Sequence, residues 1–102
     1  MNEQQQKIDS IIEMVASYYN VTEHNLKCSS RERKYADPRH VAAYCLRQML
    51  GISFPKIGKI LGDRTHRTII YAVDKVKGWR NNPKLNDEAN KCIQYVIDHM
   101  DL

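Results

Sequence analysis

An all-α domain is the expectation for this 102-residue chain. Three observations carry it. Apolar residues recur at three- and four-residue spacing through most of the length. No run alternates apolar and polar residues as a half-buried strand would. The breakers are few, 3 prolines and 4 glycines, and each falls where a helix would begin or end. Five or six helices then fill residues 1–102 as a single domain, with a helix-turn-helix at its centre.

Ile8, Ile11, Ile12 and Val15, followed by Tyr18 or Tyr19, predict a first helix over 3–19 that ends at Asn20. Thr22 caps a short turn through Leu26, its hydroxyl accepting a free amide at the helix start. Residues 27–36, "KCSSRERKYA", are polar and basic without apolar periodicity and read as a loop. "DPRH" gives the next start, with Asp37 as N-cap and Pro38 at the first helical position. Val41, Ala42, Cys45, Leu46 and Met49 form its buried face, and Gly51 stops it. Ser53 caps "FPKIGKIL", whose stripe is Ile57, Ile60 and Leu61 and whose end is Gly62. Only "GDRT" separates it from a helix capped by Thr65 and packed through Ile69, Ala72, Val73 and Val76. Two helices joined by a tight glycine-bearing turn make the helix-turn-helix. Pro83 breaks the chain. Asn86 caps a last helix, about 86–101, with Ala89, Cys92, Ile93, Val96, Ile97 and Met100 on its apolar face.

Charge is spread unevenly. Residues 27–80 hold 13 Lys/Arg and 4 Asp/Glu, a net +9, while residues 1–26 carry −3 and residues 81–102 carry −2. A basic centre between mildly acidic ends is the footprint of a polyanion binder. The mean hydropathy is −0.62, and no apolar run approaches the ~20 residues of a membrane span. The polar, acidic start "MNEQQQKIDS" lacks the regions of a signal peptide. A cytoplasmic, nucleoid-associated protein with no membrane partner is expected. Cys28, Cys45 and Cys92 are odd in number and far apart, and the four histidines stand alone. Neither a disulfide framework nor a metal site is expected. No carboxylate pair, activated nucleophile or ligand cluster points to an enzyme. No "GxxxxGK[ST]" loop is present; Lys59 follows Gly58, but no Ser/Thr comes next. Neither ATP nor another cofactor is expected.

The helix that starts at Thr65 has an electrostatic oddity. A helix N-terminus carries partial positive charge and favours acids, yet Arg64, His66 and Arg67 crowd this one. The last helix does the reverse, with Asp87 and Glu88 in its first turn. An external anion accounts for the cations. Arg67, Thr68, Tyr71 and Lys75 lie opposite the apolar stripe. Such donors, with an aromatic, suit a helix laid in the DNA major groove, where Arg reads guanine and Thr meets phosphate or a thymine methyl. The plainer alternative is a solvated face whose arginines pair with acids such as Asp63. Upstream, Arg31, Arg33 and Lys34 read as a mobile basic arm for the narrow minor groove, or else as a loop kept soluble by charge. Arg39, with His40 beside it, sits in the first turn of the helix opened by "DPRH".

Taken in order, "ADPRH", "SFPKIG" and "GDRTHRTI" resemble, with matching spacing, the "ARPR"-like, "SLPEIG"-like and "GGRDHTTV" motifs of one family. It is the C-terminal DNA-binding domain of the bacterial chromosomal replication initiator DnaA. Upstream, "IIEMVASYYNVTEHNL" is similar to that family's "VAEYYKI" helix and turn. The resemblance covers about residues 8–80. It implies a Trp-repressor-like helix-turn-helix and sequence-specific binding of double-stranded DNA, in replication initiation or its regulation. It also implies roles: Arg31 as a minor-groove arginine, Arg39 as a phosphate or base contact, Arg64 and His66 as the signature arginine and base-touching histidine. Thr68 matches the second signature threonine and Lys75 a backbone-facing lysine. Two positions depart: Thr65 replaces the signature's acid and Arg67 its first threonine. The family's ATPase domain has no counterpart in the sequence, and the start at Met1 favours a stand-alone relative over an excised domain. Two other readings stay open. One is the targeting subunit of a transposition system; the other is a protein-interaction module using the less basic first and last helices. Other replication or transposition proteins are then the partners.

Overall fold

The computed structural model describes residues 3–100. Its elements are α1 (Glu3–Tyr18), α2 (Glu23–Lys27), α3 (Arg33–Leu50), α4 (Phe54–Ile60), α5 (His66–Asn81), a 3-10 turn (Pro83–Leu85) and α6 (Asp87–His99). Among the described residues there is no strand, so the domain is all-α, with α4 and α5 as its helix-turn-helix.

Local chemistry sets most helix boundaries. Four helices start on a side chain that accepts an otherwise unpaired backbone N–H. Thr22 accepts from the Asn25 amide while the Asn25 side chain accepts from the Thr22 amide. Ser53 accepts from Lys56, Thr65 from Thr68 and Asn86 from Ala89. Asn20 turns the chain out of α1 in the left-handed conformation, φ 56°, which Asn tolerates better than most residues.

α3 begins earlier than the sequence predicts. Its cap is Glu32, which makes no side-chain cap bond, and Pro38 lies inside the helix instead of opening it. Pro38 has no N–H for the Lys34 carbonyl. Lys34 is exposed, so the loss falls on the solvent-facing front of the helix. Asp37, expected as the cap, instead accepts from Arg33 Nη2 at 3.4 Å and Asn86 Nδ2 at 3.3 Å. It thereby ties α3 to the start of α6.

α3 is the spine of the fold and packs against each of the other five helices. Val41, Ala42, Ala43, Cys45 and Leu46 are fully buried along it. Against them come Ile8, Ile11, Ile12 and Val15 of α1, Ile69, Ala72, Val73 and Val76 of α5, and Ala89, Cys92, Ile93 and Val96 of α6. At about 1.5–3 kcal/mol per fully buried large aliphatic side chain, this packing outweighs the fractions of a kcal/mol that helix propensity supplies per residue. Burial pushes the Cys45 and Cys92 thiols up to about 12; they serve as small hydrophobes. Ile97 departs from its predicted place, lying 43% exposed at the solvent edge of the α6 stripe. Tyr19, and not Tyr18, packs against the core at the end of α1. Asn90 joins α6 to the end of α5: Nδ2 donates to the Trp79 and Asn86 carbonyls at 2.9 Å each, and Oδ1 accepts from Arg80 at 3.2 Å.

The turn between α4 and α5 is closed by glycines. Gly62 (φ 94°) and Asp63 (φ 59°) are both left-handed. A Cβ on Gly62 would collide with the Lys27 carbonyl, and one on Gly58 with the Arg64 carbonyl. The first contact seats the turn on the end of α2. The second folds α4 onto the start of α5, where Arg64 N–H donates to the Gly58 carbonyl at 2.9 Å. A side chain at either position would have to displace backbone, which makes substitution costly.

Candidate nucleic-acid interface

α5 presents two faces. Ile69, Ala72, Val73, Val76 and Trp79 are buried. His66, Arg67, Thr68, Tyr71 and Lys75 are exposed, Tyr71 by 62%. Thr65 Oγ1 accepts from the Thr68 amide at 3.3 Å and lies 3.0 Å from Thr68 Oγ1, so the cap hydroxyl is engaged with its own helix. The first turn holds no acid. Among the described residues, the ion pairs join Lys7 to Glu3, Arg33 to Asp37, Lys34 to Glu32 and Lys91 to Asp87. Among the described residues no carboxylate forms an ion pair with Arg64, His66, Arg67 or Lys75, Asp63 included.

Beside this face runs an open groove of about 760 Å³. The segment after α2 supplies Ser29 and Arg31; α3 supplies Arg33, Asp37, Arg39 and His40; the turn supplies Arg64; α5 supplies Thr68, Tyr71, Lys75 and Trp79. Eight of the twelve residues expected from sequence thus line one surface. Thr65 and His66 border a smaller recess of about 330 Å³ on the α4 side of the turn. Arg67 stands exposed in the first turn of α5. Lys34 turns away from the groove, its ammonium 5.0 Å from the Tyr35 ring and 3.7 Å from Glu32.

The floor of the groove is aromatic. Lys75 Nζ lies 5.9 Å from the Tyr71 ring centre and 5.8 Å from that of Trp79. The His40 ring lies 6.4 Å from Tyr71 and 6.3 Å from Trp79. Burial, reinforced by Lys75, lowers the His40 pKa to about 4. His40 therefore enters the groove as a neutral, half-buried ring, and its buried Nδ1 has no hydrogen-bond partner.

Two expected contacts are held differently. Arg39 is not in a first turn: α3 begins at Arg33, and Arg39 is only 7% exposed. Its Nε donates to the Leu26 carbonyl at 2.9 Å, and its Nη2 donates to the Cys28 carbonyl at 2.8 Å and the Ser30 carbonyl at 3.2 Å. Arg64 Nη2 also donates to the Cys28 carbonyl, while Arg64 Nε is buried without a partner. Burial lowers the pKa of both guanidiniums, and Arg64 lowers that of Arg39 further. The loop expected over 27–36, which was to carry Arg31, Arg33 and Lys34, is shortened to 28–32. Lys27 belongs to α2, Arg33 and Lys34 belong to α3, and between them the Cys28 and Ser30 carbonyls are held by Arg39. Backbone acceptors carry no sequence signature, so this was not legible. Trp79, Asp37 and Ser29 were missed as groove residues; the spacing of Trp79, one turn beyond Lys75, was the available signal.

A short helix, a glycine turn and an exposed cation-bearing second helix define the class: a helix-turn-helix protein. A family model described as "Bacterial dnaA protein helix-turn-helix" matches residues 8–76, and the chain belongs to that family. It is similar to the chromosomal replication initiator protein DnaA of Corynebacterium jeikeium, 33% identical over 90 residues, which cover 87% of this chain and 15% of the relative. It is also similar to the protein of that name from Magnetococcus marinus, 40% identical over 82 residues, which cover 79% of this chain and 18% of the relative. The matched stretch is thus less than a fifth of the length of each relative.

Proposed function

We propose that the chain binds double-stranded DNA sequence-specifically, with α5 in the major groove and Arg31 in the adjoining minor groove. One observation carries the reading: Arg64, His66 and Arg67 gather without an acid at a helix end that disfavours cations. Duplex phosphates and guanine edges supply the missing negative charge from outside. Kinship with proteins named as chromosomal replication initiators supports replication initiation, or its regulation, as the setting. In this reading residues 1–102 act as one non-catalytic binding domain, nucleoid-associated and without ATP, and other replication proteins join it on DNA. Among the described residues no helix is long and apolar enough to cross a membrane.

His66, Arg67 and Thr68 meet base edges, because recognition helices read with their N-terminal residues. Arg64 and Lys75 meet phosphate. Thr65 cannot supply a carboxylate acceptor for cytosine N4, and its hydroxyl is committed to Thr68. Arg67 adds a bidentate donor for guanine, worth roughly 1–3 kcal/mol against a wrong base. The preferred site is therefore related to the DnaA box but distinct from it. Selection from a random duplex pool tests this: one motif should be enriched, and Thr65→Asp with Arg67→Thr should move preference toward the DnaA box. A pool without enrichment would overturn sequence-specific binding. Wild-type preference for the standard box, unshifted in the double variant, would overturn the role of these two residues.

A further inference from the structure

We propose that Arg39 is a positioning residue: with Arg64 it clamps the segment 28–30 and so fixes the distance between Arg31 and α5. The inference rests on the DNA-binding reading above and adds how its two contact elements are kept in register.

Two guanidiniums, one from the interior of α3 and one from the α4–α5 turn, converge on the same Cys28 carbonyl. Arg39 also holds the carbonyls of Leu26 and Ser30. In an extended chain alternate residues face the same side, so the Cys28 and Ser30 carbonyls both present to α3. Gly62 packs against the Lys27 carbonyl from the turn. The backbone just ahead of Arg31 is thus gripped by the same pieces that aim α5. Beyond the clamp only Arg31 and Glu32 precede α3. Arg31 is exposed and has no ion-pair partner among the described residues.

Side-chain type matters here. A guanidinium offers five N–H donors in a rigid planar fork, whereas an ammonium is a point charge with three rotating donors. Burying Arg39 beside a second arginine carries desolvation and repulsion costs that an apolar residue would avoid. Holding the Cys28 and Ser30 carbonyls, and that of Leu26 in α2, is the return visible in the structure. Arg31 is then a free contact on a rigid mount, able to meet a narrow A·T-rich minor groove at one spacing from the core of the site.

The test uses the full chain as wild type, as Arg39→Lys, and with one glycine inserted between Ser29 and Ser30. Arg39→Lys keeps the charge and loses the fork; the insertion leaves Arg39 itself in place but shifts the Ser30 carbonyl out of its register. In the free protein, trypsin should cut after Arg31 at least about tenfold faster in both variants, with the thermal midpoint reported alongside to show that the fold persists. Binding is measured on a core duplex flanked by A·T pairs at the native spacing, by the same pairs displaced one base pair, or by G·C pairs. Wild type should prefer the native A·T flank by about fivefold or more and lose that preference on displacement. Both variants should lose most of it, hold G·C-flanked affinity within about twofold, and keep the salt slope. Arg39→Lys weakening all three duplexes equally would make Arg39 a direct DNA contact and overturn the proposal. So would unchanged trypsin cleavage. A wild type that binds no duplex would overturn the DNA reading alone, while the cleavage comparison still decides the clamp.

Discussion

α5 and α6 both begin on a capping side chain, Thr65 accepting from the Thr68 amide at 3.3 Å and Asn86 from the Ala89 amide at 3.0 Å. They differ in the residues next to the cap. α6 continues with Asp87 and Glu88, and Asp87 also pairs with Lys91 at 3.0 Å. α5 continues with His66 and Arg67, with Arg64 just ahead and no acid in its first turn. In both helices the cap accepts one otherwise unpaired backbone N–H. The dipole is answered only at α6. Each cation at the start of α5 forfeits roughly 0.3–1 kcal/mol relative to an acid there, and the buried stripe from Ile69 to Trp79 is large enough to carry that loss. The start of α6 is satisfied within the fold, whereas the start of α5 is not, and on that difference the proposed DNA contact rests.

The largest effect should come from charging α5 like α6. If Arg67 reads guanine as proposed, Arg67→Asp should weaken duplex binding at least about a hundredfold, because a cationic donor becomes a group repelled by phosphate. The same change should raise the unfolding free energy of the free protein by about 0.3–1 kcal/mol. A dissociation constant and a urea midpoint measured on one preparation give both signs. A stability loss would mean that Arg67 is held by the fold.

A second effect separates the groove behind α5 from the rest of the molecule. His40 has its pKa lowered from 6.5 to about 4 by burial and by Lys75. The unfolded chain therefore binds more protons between those values, and the stability linked to His40 is full above about pH 6.5 and declines as pH falls toward 4. Discounted for the half-open setting, wild type should lose about 1 kcal/mol more than His40→Gln between pH 7 and pH 5. Parallel pH profiles from urea melts would show that His40 titrates freely.

The smallest effect lies at α6. Asp87→Asn with Glu88→Gln should lower stability by roughly 0.3–1 kcal/mol per residue and leave the duplex dissociation constant within about twofold. A larger change in binding would show that the two helix starts are not independent.

Sequence legibility followed the same division. Thr22, Ser53, Thr65 and Asn86 all cap as predicted, because a cap is a contact between residues three apart. The buried stripes were legible from their period. The start of α3 was not: Glu32 makes no cap bond, and Pro38 inside a helix imitates Pro at a helix start. Ile97 fits the stripe by spacing yet ends at its solvent edge. At the groove, Thr68, Tyr71 and Lys75 were visible as one helical face. Arg39 was visible as a cation but not as a brace, since its acceptors are carbonyls 9 to 13 residues away. His40 was visible as a titratable ring, but its neutrality depends on burial in the tertiary fold and on Lys75 from another helix.

The salt dependence of duplex affinity asks most directly whether the cations at α5 await an external polyanion. If roughly five to eight phosphates are contacted, log K against log salt should fall with a slope of about −4 to −7 for wild type. Arg67→Asp should flatten it, and the Asp87/Glu88 double variant should not. An affinity that barely changes between about 50 and 200 mM salt would contradict this reading of α5.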